Sequence, residues 1–159
     1  MATAGRSEGF PAAVIFDLDG TLIDSGRDLA SAANAARARL GLEPLPEAVA
    51  IGYIGDGAEM LIRRMLAHGR TPPGIVATAA VASGLAAFRE FYARHCLDHT
   101  CCYPGVEAML DGCRGRPLLV ATNKPRQFAL KIMDALGLTS RIARVVAGDD
   151  VTDRKPDPG

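Results

Sequence analysis

Asp17 and Asp19 stand two positions apart in the run Val14-Ile15-Phe16-Asp17-Leu18-Asp19-Gly20-Thr21-Leu22-Ile23, where an apolar stretch meets a glycine turn. Side chains at i and i+2 of an extended chain point to the same side, so both carboxylates can converge on one ligand. Neighbouring carboxylates repel unless a cation or a proton neutralises them. Mg²⁺ takes oxygen ligands and is often held by one or two carboxylates plus substrate phosphate. One carboxylate of such a pair can attack phosphorus while the other moves a proton to or from the reacting oxygens. An isolated Asp-x-Asp is as readily a strand end with surface acids at a turn.

Two later segments carry groups suited to the same chemistry. Thr122 follows Leu118-Leu119-Val120-Ala121, which places its hydroxyl at the carboxyl end of an expected strand. There a hydroxyl and the backbone N–H groups ahead of the next helix can hold phosphoryl oxygen, although Thr122 alone reads as a helix cap. Asn123 and Lys124 come directly after it. Lys155 lies in Asp153-Arg154-Lys155-Pro156-Asp157-Pro158; alone it reads as a solvated lysine, but beside the aspartates it would offset crowded negative charge.

The elements that must position these groups follow from periodicity. A strand is expected at about 12–17 and a helix from Asp24 or Ser25, either of which could cap it, with Leu29, Ala32, Ala33, Ala36 and Leu40 as its apolar stripe. Glu43-Pro44-Leu45-Pro46 reads as a loop, and a second helix starts near Gly57 or Ala58. Thr71-Pro72-Pro73-Gly74 breaks the chain before a third helix ending near Cys96. Beyond Tyr103-Pro104-Gly105 the pattern alternates: helix 106–113, strand 117–121, helix 125–136, strand 142–147. Alternating helix and strand is the signature of a parallel, doubly wound α/β sheet, whose ligands gather at the carboxyl ends of strands. Asp17 and Thr122 belong at those ends.

Residues 14–23 closely resemble the nucleophile motif of the haloacid dehalogenase-like phosphatases. Val120-Ala121-Thr122-Asn123-Lys124-Pro125 resembles the second motif of that superfamily, and Lys155-Pro156-Asp157-Pro158, after Gly148-Asp149, resembles the third. The phosphoglycolate phosphatase group is the most similar. The resemblance implies a Rossmannoid core over 1–24 and 97–159, with a mobile helical cap inserted at 25–96. It implies Mg²⁺-dependent hydrolysis of a phosphate monoester through an aspartyl-phosphate, with Asp17 as nucleophile and Asp19 as acid and base. In that family the metal sits on the first Asp carboxylate and the backbone carbonyl of the second, so Asp17 and Asp19 are the expected metal residues. Thr122 and Lys155 are expected on the phosphoryl oxygens, with Gly20, Thr21, Asn123 and Lys124 also at the substrate. In the cap, Gly55, Asp56 and Gly57 are expected to face the substrate, with Arg63 or Arg64 available for a substrate carboxylate.

The leading substrate is then 2-phosphoglycolate, yielding glycolate and phosphate. Sugar phosphates, nucleotides and phosphomutase chemistry are the neighbouring alternatives, and a non-catalytic interaction module is the alternative of another class. The family's fourth motif, Gly-Asp followed by a further Asp, is expected downstream of Lys155, whereas this sequence stops at Gly159. The expectation is an amino-terminal portion with weak metal binding, little turnover and compromised stability.

Composition narrows the partners. Eighteen basic and eighteen acidic residues cancel, which gives no electrostatic footing for nucleic acid or an anionic membrane surface. The start of the chain lacks the apolar run of a signal peptide, and no stretch has the length of a membrane span. A cytoplasmic protein acting on a small phosphorylated metabolite is expected; its oligomeric state is left open. Cys96, Cys101, Cys102 and Cys113 fit no tetrahedral zinc spacing and read as reduced thiols.

Overall fold

The computed structural model describes residues 12–69, 76–153 and 155–157. Its sheet is parallel, with strand β1 (Val14–Phe16) beside β4 (Leu118–Ala121) and β4 beside β5 (Arg144–Val146). Val14 pairs with Leu118 and Phe16 with Val120, which in turn pairs with Val145. One face carries the buried Leu118 and Val120 together with the half-buried Val14, Phe16 and Val145. Helix α5 (Val106–Gly112) precedes β4, and α6 (Arg126–Ala135) makes the crossover to β5. Phe128, Ala129, Ile132 and Met133 form the buried stripe of α6, a spacing that keeps one face inward. The expected α/β fold with a parallel sheet is therefore observed.

Between β1 and α5 lies a helical layer: α1 (Gly26–Arg39), α2 (Glu47–Ile51), α3 (Gly57–Ala67) and α4 (Thr78–His95). Ala32, Ala33 and Ala36 are fully buried on α1, and side chains this short let neighbouring helices approach closely. Gly84 on α4 serves the same end. A Cβ there would meet the Ile62 side chain at 2.9 Å. The chain leaves and re-enters the sheet region through a short antiparallel ladder of β2 (Ile23–Asp24) and β3 (Cys101–Cys102). Asp28, almost fully buried on α1, fastens the return: it accepts the N–H groups of His99 and Thr100 and the Thr100 hydroxyl at 2.7–3.1 Å.

Some local expectations change. Helix α2 follows directly on the expected loop 43–46, with Pro46 at its N-cap; proline there loses no helical hydrogen bond because the first N–H groups have no intrahelical acceptor. Ser25 occupies the N-cap of α1 without capping it, because its hydroxyl is committed to Asp19; Asp24 accepts the Gly26 N–H instead. The ladder β2–β3 carried too few residues for any periodicity to show. All four cysteines are free. No helix among the described residues is long and apolar enough to cross a membrane. The break expected at 71–74 lies outside the described residues, as do Arg154 and Pro158 of the third segment.

Candidate active site

Parallel pairing of β1 with β4 sets their carboxyl ends side by side, which puts Asp17 next to the Thr122 segment. Fully buried Leu18 separates the two aspartates: it points into the core, and its carbonyl accepts the N–H groups of Thr21, Leu22 and Ile23. Gly20, at φ +77°, closes this turn in a conformation that favours glycine. The Asp17 side chain stays half exposed at the mouth. Leu18 N–H donates to its Oδ1 at 2.7 Å, and Lys155 Nζ pairs with the same oxygen at 2.9 Å.

Lys155 is held there from two directions. Its ammonium donates to the carbonyl of Ala121 at 2.7 Å. The Asn123 side chain brackets its backbone, with Nδ2 donating to the Lys155 carbonyl at 3.2 Å and Oδ1 accepting the Lys155 N–H at 3.1 Å. Asn123 is thus the clip that returns the third segment to the second. Thr122 is buried, and its Oγ1 accepts the Lys124 N–H at 3.1 Å, which leaves the hydroxyl hydrogen to be donated into the cleft.

Asp19 has a different environment. Its Oδ1 accepts the Ser25 hydroxyl at 2.5 Å and pairs with Lys124 Nζ at 2.9 Å. The Lys124 side chain is only 4% exposed. Its ammonium also donates to the Tyr92 hydroxyl at 2.9 Å and lies 4.9 Å from the Tyr92 ring centroid. Burial pulls the Lys124 pKa down, but Asp19 and Tyr92 outweigh it and the net shift is upward, so the ammonium form persists. Burial pushes the Tyr92 phenol up to about 12, against the opposing pull of Lys124, so it stays a neutral hydroxyl. Tyr92 escaped the sequence reading. At helical spacing from Phe88 it looks like core, and stacking on Phe88 with an edge contact to Phe128 makes it core as well.

A single cleft is lined by Asp17, Asp19, Gly20, Thr122, Asn123, Lys124 and Lys155 from below and by Gly55, Asp56, Gly57, Glu59 and Arg89 from the helical layer. Thr21 and Arg63 do not line it. The Arg63 guanidinium grips Glu59 one helical turn back, and Arg64 is tied to Asp56 and the Tyr53 carbonyl. Arg89 on α4 is an exposed cleft residue without an ion pair among the described residues. Behind the site, Gly148 presses against the second segment so closely that a Cβ would fall 2.3 Å from the Asn123 carbonyl oxygen.

Among the described residues no group of three or more His, Cys, Asp or Glu side chains could hold a metal ion. The donor that suits a hard cation is the Asp17 carboxylate, whose described contacts both fall on Oδ1. The Asp19 carboxylate is already engaged by Ser25 and Lys124, and the group expected on the metal from this residue is its backbone carbonyl. A lone carboxylate with substrate phosphate oxygens still matches the way Mg²⁺ is commonly held.

Residues 14–159 match the family model described as haloacid dehalogenase-like hydrolase. A protein of Cupriavidus necator named phosphoglycolate phosphatase is 40% identical over 148 residues, which are 92% of this chain and 62% of that protein. A Rhodospirillum rubrum protein of the same name is 41% identical over 151 residues, 93% of this chain and 63% of its own length. The chain thus spans less than two thirds of these curated relatives. The crystal structure of a predicted phosphoglycolate phosphatase from Haemophilus somnus superposes with a TM-score of 0.81 at 26% identity, covering 92% of this chain and 67% of that one.

Proposed function

The chain belongs to the haloacid dehalogenase-like hydrolases, and from that premise we propose that its protein hydrolyses small phosphate monoesters, with 2-phosphoglycolate as the leading substrate. The observation that carries this reading is the Lys155–Asp17 pair at 2.9 Å, set beside Thr122 at the ends of adjacent parallel strands. A phosphate monoester dianion repels a carboxylate nucleophile, so a site for it must place a fixed cation against the attacking oxygen. Lys155 is that cation.

In the proposed sequence Asp17 attacks phosphorus, and the bond from phosphorus to the ester oxygen breaks. The leaving alkoxide takes a proton from Asp19. Water then attacks the aspartyl-phosphate, Asp19 takes a proton from it, and phosphate departs with Asp17 restored. Thr122 donates to a phosphoryl oxygen throughout, and Asn123 keeps Lys155 in place. Asp17 and the backbone carbonyl of Asp19 would hold Mg²⁺, which would supply additional positive charge.

The substrate assignment draws support from the relatives named phosphoglycolate phosphatase and from Arg89. The helical layer offers this arginine to the cleft, with no ion pair among the described residues, and a guanidinium is suited to a carboxylate by its planar fork of donors. Residues 25–96 act as a cap in this proposal.

Asp17→Asn keeps the shape of the side chain and removes the nucleophilic charge. Turnover of 2-phosphoglycolate with Mg²⁺ is expected to vanish, along with acid-stable, hydroxylamine-labile labelling by radioactive phosphate substrate. Chelation of the divalent cation should have the same effect on the unsubstituted protein. Residual turnover in the variant near the unsubstituted rate would remove Asp17 from the chemistry, and with it this reading.

A further inference from the structure

Asp19 must present one oxygen to the leaving group, yet nothing about a carboxylate at a glycine turn fixes which one. Both described contacts to its carboxylate, from Ser25 Oγ and from Lys124 Nζ, fall on Oδ1. A carboxylate held by one oxygen has the other aimed by default. Lys124 itself cannot wander: its side chain is enclosed, and its remaining described side-chain hydrogen bond goes to the Tyr92 hydroxyl of α4. The chain Tyr92–Lys124–Asp19–Ser25 therefore draws on four parts of the fold: α4, the loop after β4, the turn after β1 and the N-terminus of α1.

We propose that Lys124 is a positioning residue for the general acid and base, anchoring Asp19 through Oδ1 so that Oδ2 faces the ester oxygen, with Tyr92 holding the lysine from the helical layer. The inference rests on the phosphatase reading above. In it Lys124 does not bind substrate phosphate, because its ammonium is shut away between Asp19 and Tyr92. Displacement of α4 from the sheet would remove the Tyr92 contact and loosen Asp19. Proton transfer is thereby tied to the placement of the helix that also carries Arg89.

A leaving-group comparison tests this. An alkyl phosphate needs a proton delivered to its alkoxide, whereas p-nitrophenolate departs without one. Asp19 nevertheless serves both substrates as the base that activates water in the second step. Lys124→Met, of similar length and without charge, should lower kcat for 2-phosphoglycolate by roughly 10²-fold, the lower end of general acid–base effects, with KM changed by less than about threefold. With p-nitrophenyl phosphate, the same variant should release close to one equivalent of nitrophenolate per chain in a rapid burst and then turn over slowly. Tyr92→Phe removes a single oxygen and should show the same pattern, weakened to roughly tenfold in kcat.

Loss of the burst together with a rise in KM for both substrates would overturn the proposal and make Lys124 a phosphate ligand. Unchanged alkyl-phosphate kcat in Tyr92→Phe would overturn the coupling to α4, and it decides that point even if Lys124→Met does not fold. If the full-length protein neither turns over nor labels at Asp17, the phosphatase reading fails and takes this inference with it. Normal turnover with indifferent variants removes the positioning role alone.

Discussion

Arg89 shows how side chains of one type divide once the chain is folded. Arg63 and Arg64 follow the glycine loop 55–57 in sequence, which made them the natural candidates for a substrate carboxylate. Folding ties the first to Glu59 and the second to Asp56 and Tyr53, while Arg89, lost in the periodicity of α4, lines the cleft. Arg89→Ala should raise KM for 2-phosphoglycolate roughly tenfold or more, since a hydrogen bond to a charged group is worth about 1.5–3 kcal/mol. Turnover of p-nitrophenyl phosphate, which has no carboxylate, should hold within about twofold; equal losses on both would put Arg89 outside substrate recognition. The same distinction explains what could be read from residue types. Asp17 and Asp19 have a local spacing that suits one ligand, whereas Thr122 and Lys155 stand out only through the segments in which they resemble the phosphatase motifs. The enclosure of Lys124 and the role of Tyr92 depend on two helices and a loop meeting in space, and no local pattern carries that information.

At the scale of elements, the loop after β5 is stapled to the start of α6. Arg126 donates its backbone N–H to Asp149 at 2.7 Å, and its guanidinium holds Asp150 and the Val145 carbonyl. The Arg126 hydrogen bonds, followed by the Ala147 N–H, lower the Asp150 pKa to about 2, against about 3.9 for an unperturbed Asp. A carboxyl whose folded pKa is depressed contributes stability that is complete above the unfolded value and fades as pH falls through the folded one. The urea midpoint of the unsubstituted protein should therefore exceed that of Asp150→Asn by a constant margin above about pH 5, and the margin should shrink between roughly pH 4 and 2. The pair is exposed, so added salt should narrow it as well. A margin that widens toward low pH would contradict the assignment. In sequence Asp150 is merely one more acid in a Gly-Asp-Asp loop. Its partner lies 24 positions away across a strand pairing, and only the register of β4 with β5 brings them together.

For the whole molecule, the alternation of strand and helix after residue 103 was legible because each element carries its own period, and so was the helical character of 25–96. What the alternation could not reveal is how unequally the two faces of the sheet are covered. Leu118 and Val120 are buried on one face; on the other, Ile15 is 67% exposed beside the half-buried Leu119 and the exposed Arg144. Strand β1 also has β4 as its sole partner among the described residues, none of which pairs with its outer edge beside the apolar, β-branched Ile15. Parallel sheets are ordinarily covered on both faces, and an open apolar edge is a template for pairing with another chain. The 159-residue chain should accordingly self-associate as its concentration rises. Ile15→Lys places a charge on that edge while removing little buried surface, and should suppress the association seen by light scattering without altering the far-ultraviolet circular dichroism. Asp17 lies two positions on and faces the same side of the strand, so a parallel check is that the substitution leaves the Lys155 pairing intact in a structure of the variant. If scattering is the same with lysine at position 15, the exposed face is not what drives the chains together.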